Sequence, residues 1–209
     1  LTHNNDLPSY HENAVTVLKI KNLNSDLVIL QQTFAGQMGQ NGVNNYGVAV
    51  GINTIIDMPV SNKGIPVSFN VRKILESKNI PEALEYLKKV DFGTSMNYLI
   101  ADREIAIAVE TWEDNIEVID NTKQHYIAHT NHTLQENAPV IFEIDEDEND
   151  GSFGYTHERL NLANAVLGGG AKNIDFEGLR ELKLTRPILN SNTIMGTIIS
   201  IPKKGFPIL

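Results

Sequence analysis

The chain has 209 residues, no cysteine and a formal net charge of −9, with 41% hydrophobic and 21% charged residues. That length can enclose a sizeable core as one domain, and the acidic balance argues against a nucleic-acid surface, which needs a basic stripe the sequence lacks. Without thiols there is neither a disulfide framework nor a thiolate metal site, and no apolar run reaches the ~18–20 residues of a membrane helix.

Strand patterns come first. "AVTVLKI" (14–20) and "LVILQQTF" (27–34) are separated by the turn-forming "NLNSD". The Gly- and Asn-rich "AGQMGQNGVNNYG" (35–47) reads as close turns. It leads into "VAVGINTII" (48–56), an almost unbroken apolar run expected to be a strand buried on both faces. Two helices follow, "PVSFNVRKILES" (66–77) and "IPEALEYLKKV" (80–90), the second with Pro81 in its first turn. "MNYLIAD" and "EIAIAVET" flank Arg103 as a hairpin, and "NIEVID" (115–120) and "QHYIAHT" (124–130) are expected to continue the sheet. "HERLNLANAVL" (157–167), ended by "GGG" (168–170), and "DFEGLRELKL" (175–184) are expected helices, and "TIMGTIISIP" (193–202) a last strand. Runs of strands, then helices, then strands, then helices indicate an α+β protein with helices layered on antiparallel sheets, as one domain over residues 1–209.

The cluster "HTNH" (129–132) brings two imidazoles and a carboxamide together. As a metal site it is weak: on a strand His129 and His132 point to opposite faces, and no HExxH-type partner is present. A polar strand end is the stronger reading, and no metal or cofactor is expected. The acidic run "EIDEDENDGSFG" (143–154) invites comparison with a calcium loop. It fails in both registers: from Asp145 the sixth residue is Asp150 and the twelfth Thr156, and from Glu146 the twelfth is His157. The Gly/Asn segment is no phosphate loop, since it does not feed a helix, and no G-x-S-x-G elbow exists. What remains is a scatter of amides and charges near strand ends: Asp6, Asn44, Asn53, Asn131 and Arg159. An amide aimed at a developing oxyanion can supply about 2.7–4 kcal/mol of transition-state stabilisation, but singly each is an ordinary turn or cap residue.

Together, "HNNDLP", "GQNGVNNYGVAVGIN", "FNVRKILES…PEALEYL", "MNYLIADREIAIAVET" and "AHTNH" occur in the order seen in the penicillin acyltransferase family. Those proteins are relatives of the choloylglycine and penicillin V hydrolases among the N-terminal-nucleophile hydrolases, and the chain resembles them from about His3 to Ile201. The resemblance implies the αββα four-layer sandwich, two antiparallel sheets face to face and flanked by helices. It also implies hydrolysis or acyl transfer at linear amides through an acyl-enzyme. In such enzymes an N-terminal Cys, freed by autocatalytic cleavage, is the nucleophile, and its α-amine, with a pKa near ~7.7–8, is the base. Residue by residue, the resemblance makes Asp6 the carboxylate that orients this amine and thiol. It makes Asn131 the side-chain donor of the oxyanion hole, Asn53 the second donor (Thr54 if the register slips by one), and Arg159 a helix-start arginine that positions the nucleophile. Asn44 is assigned to the turn.

The departure from the family is the missing Cys, expected on a strand upstream of "HNNDLP". Thr2 lies too close to Asp6 to replace it. The opening Leu1 and the end "KKGFPIL" just after a strand favour a processed or partial polypeptide, and an open sheet edge is then expected where that strand would pair. Absence of a signal peptide carries no weight for export, and compartment stays unassigned. The rival reading is a catalytically inactive binding module on the same fold. The expected partner is a small-molecule N-acyl amide, with no nucleic acid and no membrane span, and a homo-oligomer is left open.

Overall fold

The computed structural model describes residues 1–119, 124–144, 155–169 and 174–209. Seven strands form an antiparallel meander: β2 (Val15–Lys21), β3 (Val28–Phe34), β4 (Asn41–Asn44), β5 (Ala49–Thr54), β6 (Phe92–Ala101), β7 (Ala106–Glu113) and β8 (Asn115–Ile119), neighbours in sequence and in space. Side chains alternate between faces along each strand. Val50 and Ile52 of β5, Tyr98 and Ile100 of β6, and Ile107 and Val109 of β7 therefore share one apolar face. Two helices cover it. α1 (Val67–Glu76) turns Val71, Ile74 and Leu75 inward, and α2 (Ile80–Leu87) turns Ile80, Ala83 and Leu87, all joined with the strand residues in one buried cluster. α2 begins where the Asn79 side chain accepts the Glu82 N–H at 3.0 Å, with Pro81 in the first turn. Asn70, buried in this layer, is satisfied: it donates to the buried Tyr98 hydroxyl at 3.1 Å and accepts from Tyr86 at 2.7 Å.

The opposite face of the meander carries Gln32, Asn41, Asn53, Asn97 and Glu110 among small residues, and a second sheet lies on it. β1 (Thr2–Asp6) pairs antiparallel with β9 (Thr193–Ile198). Asn41 donates to Asn5 at 2.8 Å, Thr197 bonds to Gln32, and Ile199 packs on Val43 and Ala49. On the outer side of this pair lies α4 (Phe176–Leu184), capped by Asp175 and tied down by Lys183, whose ammonium donates to the Thr197 carbonyl at 3.0 Å. α3 (Thr156–Gly168) lies beside the end of β1, where Arg159 faces Asp6. Helices, seven-stranded sheet, two-stranded sheet, helices: this is the expected αββα order of an α+β fold.

Four elements differ from the sequence reading. Gln124–Thr130 is not a strand; its side chains bond sideways, Tyr126 to the Asn164 carbonyl and His129 to Glu110, so the segment crosses the sheet end without joining a ladder. The supposed turn region contains β4, four buried residues. Gly42 is needed there because a Cβ would sit 2.7 Å from the Leu30 carbonyl oxygen. Asn44 does shape the following turn, accepting from Gly47 and Val48 while donating to the Leu75 and Ser77 carbonyls. Thr2–Asp6 is a strand and Ser9–Ala14 a 3₁₀ turn, neither of which the short polar pattern signals. The acidic run from Asp145 onward and Gly170 lie outside the described residues. No described helix is long and apolar enough to cross a membrane.

One backbone crossing tests this architecture. A Cβ at Gly64 would fall 2.0 Å from the Phe92 carbonyl carbon and 2.2 Å from the Gly93 nitrogen, atoms that cannot rotate away. Gly64→Ala is expected to lose about 1–3 kcal/mol or more, read as a lower urea midpoint at unchanged slope.

Candidate active site

Asp6, Asn53, Asn131 and Arg159 line one cavity of about 160 Å³ at the end of β1. Four separate elements supply them: β1 ends in Asp6, β5 places Asn53 on its inner face, the loop after β8 carries Asn131, and the first turn of α3 carries Arg159.

The contacts among them are specific. Arg159 donates to the Asn131 side-chain oxygen at 2.8 Å and stands 3.9 Å from the Asp6 carboxylate, both ends of this ion pair being more than nine-tenths buried. The Asn131 amide nitrogen donates to the Thr54 carbonyl at 3.0 Å, and the Asn131 backbone is held at both ends, its N–H on the Thr156 hydroxyl and its C=O accepting Ile56 N–H. With its oxygen taken by Arg159, the carboxamide has its NH₂ end fixed, and that group keeps a second hydrogen beyond the one given to Thr54. Asn53 is oriented in a similar way: Asn97, its partner across β5 and β6, donates to its side-chain oxygen at 3.2 Å. The NH₂ of Asn53 is then the group left to face the cavity.

Asp6 accepts from Thr193 Oγ1 at 2.5 Å and from Asn190 at 2.8 Å. Burial pushes its carboxyl above the usual range, against the Thr193 hydroxyl, the Arg159 charge and the Asn190 amide, which pull it down. Lys183 reaches a neighbouring cavity of about 130 Å³ that shares Asp6, Asn53 and Arg159, and burial lowers its ammonium to about 8. In a chain of net charge −9 this corner holds two cationic side chains against one carboxylate.

Besides Lys183, two titratable side chains at the site escape the sequence reading. His3 lines both cavities. Burial pushes its imidazole down to about 4, with the nearby Lys183 charge adding to the fall and hydrogen bonds at Ile52 and Asn5 opposing it, so the ring is neutral near pH 7. Its signal was its place in "HNNDLP", three residues before Asp6. Glu110, fully buried on β7, accepts from His129 Nε2 at 2.8 Å, Thr133 Oγ1 at 2.5 Å and Leu134 N at 2.7 Å. Burial raises its carboxyl, but the His129 and Thr133 bonds, the His129 charge and the Leu134 N–H outweigh it, and the net shift is downward. Its signal was a lone charge at an inward position of "EIAIAVET". The imidazoles of "HTNH" flank the amide: His129 on Glu110, and His132 with Nδ1 3.0 Å from Thr156 Oγ1 and its ring against that of His157.

β1 pairs with β9 along one edge, and among the described residues no strand pairs with the other. The 130 Å³ cavity runs beside β1, walled by Leu99, Ile127, Leu167 and Leu182.

The family model described as acyl-coenzyme A:6-aminopenicillanic acid acyl-transferase matches residues 1–150. Among solved structures, the chain resembles an N-acylethanolamine-hydrolyzing acid amidase ortholog from Caenorhabditis elegans, with a TM-score of 0.67 and 16% identity over 97% of this chain and 87% of that one. It also resembles a variant of the conjugated bile acid hydrolase from Clostridium perfringens, with a TM-score of 0.51 and 15% identity over 99% of this chain and 79% of that one. At such identities these likenesses show the fold. No curated protein matches the sequence.

Proposed function

Because the chain belongs to the acyl-coenzyme A:6-aminopenicillanic acid acyl-transferase family, we propose that it is the body of an N-terminal-nucleophile enzyme that hydrolyses linear amides or transfers their acyl group. The observation that carries this reading is the convergence of Asp6, Asn53, Asn131 and Arg159 on one cavity at the end of β1, a strand whose second edge pairs with none of the described strands. The nucleophile, a Cys, belongs on an upstream strand pairing with that edge and filling the apolar slot, its α-amine near Asp6.

Each group then has a task. The α-amine takes the thiol proton, the sulfur adds to the amide carbonyl carbon, and the carbonyl oxygen becomes an anion facing the NH₂ groups of Asn131 and Asn53. Collapse of that intermediate breaks the C–N bond, the α-ammonium returns its proton to the departing amine, and a thioester remains. Water, or an acceptor amine, attacks the thioester by the same path reversed. Arg159 keeps the Asn131 oxygen occupied, so that its NH₂ points to the anion.

The test begins with mass spectrometry of the protein isolated from its source. A mature N-terminal Cys upstream of Leu1 supports the reading, and an encoded polypeptide with no Cys, Ser or Thr available at a mature N-terminus there ends it. Product analysis with N-acyl amino acids, penicillin V, conjugated bile acids and N-acylethanolamines then identifies the substrate. Tight binding without any turnover by the intact protein is the outcome that the inactive-module reading anticipates.

A further inference from the structure

We propose that Glu110 is the positioning residue of this site: its buried carboxylate, hydrogen-bonded to His129, Thr133 and Leu134, clamps residues 129–134 so that the amide of Asn131 faces the cavity. The inference rests on the reading of Asn131 as an oxyanion donor and adds to it a residue that touches no substrate.

The geometry is one carboxylate against three points of one loop. His129, two residues before Asn131, reaches one oxygen of Glu110; Thr133 and Leu134, two and three residues after it, reach the two oxygens by hydroxyl and backbone N–H. The loop has no ladder of its own, so these bonds replace the backbone pairing that a strand would supply. The His129 ring is fixed at both nitrogens, with Nδ1 2.8 Å from the Thr130 carbonyl oxygen and Nε2 2.8 Å from the Glu110 carboxylate. Among the described residues, the other titratable groups facing the clamp are Asp57, which accepts the Thr133 N–H at 3.1 Å and whose negative charge opposes that of Glu110, and His157, which faces Asp57. With His129 and Glu110 both without exposed side-chain area, the pair is unscreened by water and holds one geometry.

Register places the clamp next to the other donor as well. Asn53, Asn97 and Glu110 stand side by side across β5, β6 and β7, with Asn97 holding Asn53 and Glu110 holding the Asn131 loop. One row of the inner sheet face therefore aims both amides.

The experiment is nitrogen NMR of the His129 ring and the Asn131 side-chain amide in the unaltered protein and in Glu110→Gln, with kcat and KM measured in the nucleophile-bearing protein. The expected result in Glu110→Gln is changed nitrogen shifts of the His129 ring and a shifted, faster-exchanging Asn131 amide. kcat should fall on the order of tenfold to a hundredfold with KM within about twofold, as a misaimed transition-state donor requires. Should Glu110→Gln not fold, Thr133→Ala removes one of the three tethers and is expected to shift the same Asn131 signal by less. An Asn131 amide unmoved in a folded Glu110→Gln or Thr133→Ala overturns the proposal, whatever happens to turnover. A moved amide in a protein that turns over nothing supports the clamp and counts against the enzymatic reading instead.

Discussion

Asn131→Ala is expected to lower kcat by about two to three orders of magnitude, the usual cost of deleting one oxyanion-hole donor, while KM changes little. The reason is geometric. The oxygen of this carboxamide is taken by Arg159, and its NH₂ is pinned on one hydrogen by Thr54, so the remaining hydrogen has a single direction in which to act. An interaction made only with the developing anion lowers kcat and kcat/KM together. Asn131→Asp separates aim from charge. It keeps the shape, puts an acceptor where the donor stood, and should be at least as damaging. A single-turnover measurement of acyl-enzyme formation, with circular dichroism to confirm the fold, decides the matter; an Asn131→Ala protein of near-normal turnover removes Asn131 from the chemistry.

The unaltered protein should lose stability between about pH 6.5 and pH 4 through His3, an acid dependence that His3→Gln removes. The folded ring titrates near 4 against a usual 6.5 because it is enclosed beside Lys183. As the pH falls, the unfolded chain takes this proton first, so the contribution of His3 is complete above about 6.5 and is gone once the pH reaches the folded value. A shift of that size corresponds to at most about 3–4 kcal/mol, less in practice because the residue is only partly buried. Asp6 acts in the opposite sense. Its raised carboxyl contributes most below its usual value of 3.8 and loses that contribution as the pH rises through its folded value, so part of the His3 effect is offset on acidification. Urea titrations of both proteins at several pH values isolate the term; parallel stability curves for the unaltered and His3→Gln proteins would falsify it.

Why the site is legible only in pieces follows from where its residues sit. Asn131 and Arg159 stand in short polar motifs whose ordered company resembles a family, and Asn53 sits at the end of an apolar strand, so each could be named from the chain. Glu110 could be suspected only as a charge among alanines. Nothing in the local pattern marks His3, because its enclosure comes from groups far along the chain such as Ile52 and Lys183. Gln124–Thr130 misled by composition: its β-branched and aromatic residues look strand-like, yet they serve contacts with α3 and β7. β1 was missed because "THNND" has no apolar alternation; its strand geometry comes from pairing with β9, 187 to 196 positions away along the chain.

The amino-acid pattern by itself determined six of the seven meander strands and the two covering helices, because the apolar run of β5, the alternation in β6 and β7 and the helical spacing of Ile74 and Leu75 are local properties of the chain, although Phe69, which shares that spacing, is exposed. It determined the acidic, thiol-free character of the molecule too. Only the tertiary structure decided which polar side chains meet. Asp6 and Arg159 pair over 153 positions, and the direction of the Asn131 amide depends on α3 and on a carboxylate from β7. Such aim is set by burial: away from water, a donor or acceptor that lacks its partner is costly, and the fold has to bring distant groups together to satisfy it.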